Sequence, residues 1–163
     1  MVIDFVRIRD DAGIRRLSIV AKEIIRAYYD PILGEAQNTY MLELFQSEEG
    51  IRRQIAQGYV FYLPEEGGRS LGFFAYRFKG DHLYLSKFYL YAAERGKGNG
   101  REILRFLKGV ALDAGVRAIE LNLNKKNPAI AVYEKMGFRR IRAEKNDIGQ
   151  GYYMDDYVYR LEF

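Results

Sequence analysis

Apolar and polar residues along this chain follow two different patterns, and each change of pattern marks the boundary of a predicted element. Seven short segments are rich in β-branched and aromatic residues, with apolar side chains at alternate or nearly all positions, which is typical of β-strands. These predicted strands cover residues 2–8, 59–63, 71–78, 83–91, 118–123, 138–143 and 152–161. Only short turn sequences containing glycine separate the three strands between residues 59 and 91, so they predict an antiparallel meander.

Between the strands, apolar residues recur every three or four positions, as they do on the buried face of an α-helix. Asp10 or Asp11 predicts the start of the first helix, because a carboxylate can cap the free N–H groups there. Asp30-Pro31 together with Gly34 predicts an interruption of that helix. Two shorter helices follow, one that contains Tyr40-Met41 and Leu44-Phe45 and one that contains Ile51 and Ile55 and ends near Gly58.

Two further helices flank the predicted strand 118–123. The first begins at a glycine-rich segment and ends at Gly115, and the second opens at Asn127-Pro128 and ends at Gly137. The chain has no internal repeat and no long linker. This order of elements predicts one α/β domain, residues 1–163, built around a mixed sheet.

The glycine-rich segment, Arg95-Gly96-Lys97-Gly98-Asn99-Gly100, is the strongest chemical signal in the sequence. Alternating glycines permit tight or left-handed backbone conformations that turn successive amides into one concavity, and the helix that follows adds the positive end of its dipole. The segment therefore predicts a site for a phosphate or another anion. The alternative is a glycine-rich connection that binds nothing.

The spacing of the glycines distinguishes three kinds of phosphate loop. A P-loop is excluded, since no Lys-Ser or Lys-Thr pair follows, and a dinucleotide fingerprint would require glycine where Arg101 stands. Arg95, Gly98 and Gly100 instead match Arg/Gln-x-x-Gly-x-Gly/Ala. This spacing resembles the acetyl-CoA loop of the GNAT superfamily of N-acetyltransferases.

A second motif lies in the predicted helix 127–137. By periodicity alone, Tyr133 would belong to an apolar stripe with Ala129 and Met136, as a core aromatic residue. The segment nevertheless resembles the second GNAT motif, Asn-x-x-Ala-x-x-x-Tyr-x-x-x-Gly-Phe. Asn127 lies two residues before Ala129 instead of three, so Asn124 or Lys126 is an alternative for the asparagine's role. With Lys87-Phe88-Tyr89-Leu90, the resemblance covers about residues 85–138.

The resemblance implies a GNAT-type domain with a mostly antiparallel, twisted sheet flanked by helices. The family's fourth and fifth strands, here 83–91 and 118–123, would splay around acetyl-CoA (coenzyme A). Tyr133 would act as the general acid toward the departing thiolate. The residues implied to bind the cofactor are Phe88, Tyr89, Leu90, Arg95, Gly96, Lys97, Gly98, Asn99, Gly100, Arg101, Asn127, Tyr133 and Lys135.

An acceptor amine with a pKa of about 10.4 must lose a proton before it attacks, which costs roughly 4 to 5 kcal/mol at pH 7. Glu120 is the first candidate for the base, followed by Asp81 or a water relay. The alternative for Glu120 is a carboxylate paired with a lysine or an arginine.

Composition limits the other chemistries. The chain has no cysteine and one histidine, His82, so a thiolate or histidine-rich metal site is excluded and no metal is expected. The segment from Arg95 to Arg142 contains 12 basic and 4 acidic residues, whereas residues 1–90 contain 12 of each. A ligand with several phosphates explains this basic patch, and the alternatives are nucleic acid or solvated helix faces. We expect no nucleic acid, no membrane and a cytoplasmic location.

The acceptor is predicted from weaker signals. Residues 29–34, Tyr40-Met41 and residues 147–157 resemble a bacterial subgroup of polyamine and diamine acetyltransferases, the PaiA-like proteins. Tyr29, Tyr40 and Asp155 are the implied contacts to a small-molecule amine, since cationic amines favour aromatic faces and carboxylates. The alternative for Asp155-Asp156 is a pair of charges in an exposed strand.

Other functions remain open from the sequence. A peptide N-terminus, a protein lysine or an aminoglycoside could be the acceptor, or the chain could bind acetyl-CoA as a regulator without turnover. By analogy with related proteins, a homodimer is expected to form through the tyrosine-rich C-terminal strand.

Overall fold

A computed structural model describes residues 2–163 and gives eight strands and five α-helices in that range. The strands are β1 (Asp4–Arg7), β2 (Val60–Glu66), β3 (Arg69–Ser70), β4 (Gly72–Lys79), β5 (His82–Leu90), β6 (Ala118–Asn124), β7 (Arg139–Gly149) and β8 (Tyr152–Glu162). The helices are α1 (Asp11–Leu33), α2 (Glu35–Phe45), α3 (Glu48–Ala56), α4 (Asn99–Asp113) and α5 (Ile130–Lys135), with a 3₁₀ turn at Ala92–Glu94.

The strands form one open sheet in the order β1-β2-β4-β5-β6-β8-β7, with the short β3 beside β2. β6 runs parallel to β5, with Leu83 opposite Ile119 and Tyr84 opposite Glu120. The β1–β2, β2–β4, β6–β8 and β7–β8 pairs are antiparallel. The predicted α/β class with a mixed, mostly antiparallel sheet is therefore confirmed. β5 and β6 correspond to the family's fourth and fifth strands, because β3 is an additional short strand.

The contacts divide the chain into two compact units. The first contains the described residues up to Arg77 together with Lys87–Leu107, and the second contains Phe78–Ser86 and Lys108–Phe163. In the first unit, apolar side chains of α1 pack with Phe61, Leu63 and Phe73 in a single core cluster. In the second, β8 pairs with both β6 and β7, and Val158 and Tyr159 are buried. The prediction of one domain over 1–163 stays a prediction.

Three predicted boundaries are wrong. α1 continues through Asp30 and Pro31 and ends at Leu33, so of the residues predicted to interrupt it only Gly34, with a φ of 85°, breaks the helical path. α5 begins at Ile130 and not at Asn127, since Asn127 forms a turn with Ala129 first. β7 extends to Gly149, six residues beyond the predicted end at Ala143, because its backbone pairs with β8 although its side chains are largely exposed.

The C-terminal strand also differs from its expected role. Residues 156–160 of β8 have a hydrogen-bonded neighbour on each side, Asn124–Glu120 on β6 and Glu144–Arg139 on β7. The expectation that this strand pairs across a two-fold axis is therefore wrong for these residues, since no open backbone edge is left. Homodimer formation itself stays a prediction.

No helix in residues 2–163 has the length and low charge that crossing a bilayer requires.

Candidate functional site

The loop between β5 and α4 has the backbone conformation that its glycines predict. Gly96 has a φ of 74° and Gly98 a φ of 87°, and α4 begins at the next residue, Asn99. A Cβ atom built at either glycine meets nothing within 4 Å. Glycine is therefore required here by the left-handed backbone and not by lack of space. Such turns can aim backbone N–H groups at an anion, and the N-terminus of α4 adds further N–H groups.

Basic side chains surround this loop. Arg95 donates a hydrogen bond from Nη2 to the Leu90 carbonyl at 3.1 Å, and its guanidinium lies 5.0 Å from the centre of the Tyr28 ring. Lys97 and Arg101 are exposed. Left-handed glycines, a helix N-terminus and three cations together fit a ligand that carries phosphates.

A buried carboxylate lies directly before the loop. Glu94 is 6% exposed, and its Oε1 forms an ion pair with Arg69. Asn99, which is 2% exposed, donates from Nδ2 to the Glu94 carbonyl at 3.0 Å. The two ends of the loop are thus joined by the side chain of Asn99, beneath the cationic surface.

The last residues of β5 lie close to this loop in the first unit. The nearest heavy atom to a Cβ built at Gly100 is Cζ of Phe88, at 3.9 Å. At Gly72, a Cβ would lie 2.0 Å from the carbonyl oxygen of Tyr89, so this close approach of β4 to β5 requires glycine. Phe88, Tyr89 and Leu90 are all partly exposed.

Two of the predicted acceptor residues lie in the same unit. The Tyr29 ring is 6.0 Å from the Tyr89 ring and 4.9 Å from the Tyr28 ring, and the hydroxyls of Tyr29 and Tyr89 are 3.4 Å apart. The structure thus brings Tyr29 together with a predicted cofactor residue. Tyr40 lies on α2 and is half-buried.

In the second unit, Asn127 lies in the turn that precedes α5, and Tyr133 lies on α5 itself. Tyr133 is 9% exposed and packs edge-on against Phe138, with 5.5 Å between the ring centres. Asn127 is buried, and its Oδ1 accepts a hydrogen bond from the Ala129 N–H at 2.8 Å. Lys135 is exposed at the end of α5. Asn127 therefore shapes the entry into the helix that carries Tyr133.

Glu120 is buried and takes part in an ion-pair network that reaches the surface at Asp81. Its Oε2 accepts a hydrogen bond from Arg160 at 2.6 Å, and Nδ1 of His82 is 3.6 Å away. Arg160 also pairs with Asp81 at 3.0 Å, and this hydrogen bond lowers the pKa of Asp81 to about 2. Both candidate bases are thus partners of the same arginine.

Asp155 and Asp156 have different surroundings. Asp155 is half-exposed and pairs with Lys125 at 3.0 Å. Asp156 is 4% exposed, so the alternative that both aspartates are exposed charges is wrong for this residue. Its Oδ2 accepts a hydrogen bond from Asn122 at 3.3 Å, and burial raises its pKa to about 6.

The sequence also matches a protein-family model. Residues 30–152 fit the acetyltransferase (GNAT) domain, and this match includes the glycine loop, Glu120 and Tyr133. The chain belongs to the GNAT acetyltransferase family. The predicted family is confirmed, and with it the prediction of an enzyme that uses acetyl-CoA.

Solved structures of other GNAT proteins have the same fold. PaiA N-acetyltransferase from Thermoplasma acidophilum, in complex with coenzyme A, is 20% identical with a TM-score of 0.79, and the match covers 100% of each chain. The ribosomal-protein-S18-alanine N-acetyltransferase from Escherichia coli is 16% identical with a TM-score of 0.70, covering 99% of this chain and 94% of that one. No curated protein is a significant match to the sequence.

Sequence reasoning missed three features of this GNAT chain. The pairing of Glu94 with Arg69 spans 25 residues, and no spacing rule connects them. Lys87 carries no sequence signal beyond its place in a strand, although burial lowers its pKa to about 7. Gly72 belongs to no motif, and the close approach of its backbone to β5 was not predicted. A glycine inside an apolar strand was the one sequence feature that could have indicated it.

Proposed function

We propose that this GNAT protein transfers the acetyl group of acetyl-CoA to a primary amine of a small polycation such as spermidine or spermine, with Tyr133 as general acid. One observation carries the proposal: the loop 95–100 places two left-handed glycines and three cations at the N-terminus of a 15-residue helix. Acetyl-CoA would supply the activated thioester. The coenzyme A complex of the Thermoplasma acidophilum neighbour supports the choice of ligand.

The loop and the end of β5 would bind the cofactor. Arg95 is held by the Leu90 carbonyl and the Tyr28 ring, so its guanidinium is oriented before a phosphate arrives. Lys97 and Arg101 would add charge. The backbone of Phe88–Leu90 would pair with the pantetheine arm and hold the thioester carbonyl, where hydrogen-bond donors stabilise developing negative charge. Asn127 and Lys135 stay predicted cofactor contacts.

Tyr133 would donate its hydroxyl proton to the thiolate of the product. Its edge-on contact with Phe138 fixes the plane of the ring. A phenol with a pKa of about 10 can protonate a thiolate of pKa about 8.5 only with some cost, so positioning contributes more than acidity.

The proton of the acceptor ammonium would leave through Glu120 or a water relay. Oε2 of Glu120 is engaged by Arg160 at 2.6 Å, and Oε1 is 3.9 Å from Arg142. Oε2 would have to leave the guanidinium in order to accept a proton. This geometry favours Oε1 or a water molecule that it orients.

The aromatic and acidic groups of the first unit support a polyamine as the acceptor. Tyr28, Tyr29 and Tyr89 form an aromatic cluster, and Asp30 lies at the end of the same helix. Aromatic faces and carboxylates attract alkylammonium groups. Asp155 is paired with Lys125 at 3.0 Å, so an ammonium group of the acceptor would have to compete with Lys125 for this carboxylate.

Release of free CoA from acetyl-CoA over a panel of acceptors tests the substrate class. The panel contains spermidine, spermine, an N-terminal alanine peptide, a lysine peptide and an aminoglycoside. We expect turnover on the polyamines. Activity on the peptides alone would support a peptide N-acetyltransferase instead, in line with the Escherichia coli neighbour. Binding of acetyl-CoA without turnover on any acceptor would support a regulator.

The Tyr133→Phe variant tests the general acid. We expect kcat to fall about 10²-fold or more, because proton transfer by a positioned side chain contributes about that much, while the KM for acetyl-CoA changes little. Tyr153→Phe, at an exposed tyrosine of β8, is the control and should leave both constants unchanged. An unchanged kcat in Tyr133→Phe would exclude the role.

A further inference from the structure

Glu94 presents an electrostatic problem for the proposed cofactor loop. It is a buried carboxylate immediately before Arg95, the first residue of a loop whose glycines and cations fit an anion. A carboxylate in a poorly solvated position repels nearby anions more strongly than one in water, because screening is weak there. An uncompensated charge at Glu94 would therefore oppose the binding of phosphates.

Arg69 supplies the compensation from another part of the chain. It lies on the short strand β3, where the tight turn at Gly67 and Gly68, with φ of 59° and 79°, turns the chain back along β2. From there its guanidinium pairs with Oε1 of Glu94, 25 residues away in sequence. The side chain of Arg69 is 55% exposed and that of Glu94 8%, so the arginine reaches the buried carboxylate from the solvent side.

Glu94 also joins the two ends of the loop. Its carbonyl and its Oε2 accept hydrogen bonds from Nδ2 of Asn99, at 3.0 Å and 3.5 Å. Lys97, within the loop, lies 4.0 Å from Oε1 of the same carboxylate. Lys97 is thus the next cation available to Glu94 if Arg69 is lost, and it would then be drawn away from a phosphate.

We propose that Arg69 and Glu94 form a positioning pair for the cofactor loop. Glu94 holds the loop closed through Asn99, and Arg69 neutralises Glu94 so that Lys97 stays available for the phosphates of acetyl-CoA. The pair acts through the loop and touches neither the thioester nor the amine. The inference rests on the proposed binding of coenzyme A at residues 95–100.

The test is a double-mutant cycle in which each charge is removed singly and together, read by calorimetric affinity for coenzyme A. Arg69→Met should weaken binding about tenfold or more, because it leaves a buried carboxylate without its partner. Arg69→Met combined with Glu94→Gln should recover most of the affinity, because glutamine keeps the hydrogen-bonding groups but carries no charge. At saturating acetyl-CoA, kcat should stay within about threefold of wild type, since the effect is on binding.

Arg16→Met is the matched control. Arg16 is 45% exposed and pairs with the buried Glu65 of β2. It also donates hydrogen bonds to the Gly68 carbonyl and to Oγ of Ser70, on either side of Arg69, so the substitution disturbs β3 without removing the partner of Glu94. It should leave the affinity for coenzyme A unchanged. Equal losses in Arg69→Met and Arg16→Met, or no recovery in the double variant, would overturn the proposal and indicate a purely structural role.

Two further measurements keep the outcomes separate. If wild-type protein does not bind coenzyme A, the proposed function fails before the pair is tested. If Arg69→Met does not fold, the Glu94→Gln variant tests the inference by itself. We expect its affinity for coenzyme A to equal or exceed that of wild type. A clear loss of this affinity would overturn the inference. Thermal unfolding of each variant establishes that it is folded.

Discussion

Lys87 shows how much a single residue's chemistry depends on its surroundings. Its ammonium lies 5.3 Å from the centre of the Phe61 ring and 5.9 Å from the rings of Phe45 and Tyr59, and it donates a hydrogen bond to Gln54. Among residues 2–163, no carboxylate forms an ion pair with it. Desolvation disfavours the charged form, so the pKa of Lys87 falls to about 7.

This shift makes stability depend on pH in a defined direction. Between pH 7 and about 10.5 the unfolded chain holds the proton of Lys87 and the folded chain does not, so the free energy of unfolding rises with pH. The contribution is at most about 1.36 kcal/mol per pH unit. Lys87→Met should remove this rise and be more stable than wild type at pH 7, as measured by urea unfolding at pH 7, 8 and 9.

Lys79→Met is the control for Lys87. Lys79 also stacks on an aromatic ring, with Nζ 4.1 Å from the centre of Tyr84, but it is exposed. The control should retain the rise in stability above pH 7. The same pH dependence in wild type and Lys87→Met would contradict the argument from burial.

At the scale of elements, the loop and helix α4 were the part of the chain that sequence predicted best. The left-handed backbone at Gly96 and Gly98 and the helix start at Asn99 all follow from local spacing. The end of α1 was predicted less well, because proline is unfavourable only where a helix needs the missing N–H or the space of its ring. In the last turn of α1 the tertiary contacts of Asp30, which accepts a hydrogen bond from Asn38, hold the helical path.

Two glycines associated with α4 allow a matched test of the loop. Gly98→Ala should cost about 1 to 2 kcal/mol of stability, because a side chain is strained at a φ of 87°, and should weaken binding of coenzyme A. Gly109→Ala, in the exposed interior of the helix, should stabilise the protein by about 0.5 to 1 kcal/mol without affecting that affinity. Chemical unfolding and calorimetry measure both. Equal effects of the two substitutions would contradict the role of the left-handed loop.

At the scale of the whole molecule, charge is distributed in a way that composition alone does not reveal. The net charge is only +4, but the basic excess falls between Arg95 and Arg142. The structure divides these residues between two compact units, with Arg95, Lys97 and Arg101 at the loop and Arg142 next to Glu120. The charge of Arg142 is therefore partly balanced by Glu120 and Glu144 of the same chain.

The sequence by itself determined the order of elements, the glycine loop and the family motifs, because each depends on residues within a few positions of one another. Helical periodicity, a left-handed glycine and a capping aspartate are local properties of the backbone. Only the tertiary structure decided which charges meet. Glu94 meets Arg69 over 25 residues, Glu120 meets Arg160 over 40, and Asp81 meets Arg160 over 79. Strand register and the free-energy cost of burying an unpaired charge determine which residues pair. Neither can be read from the spacing of residues along a short segment.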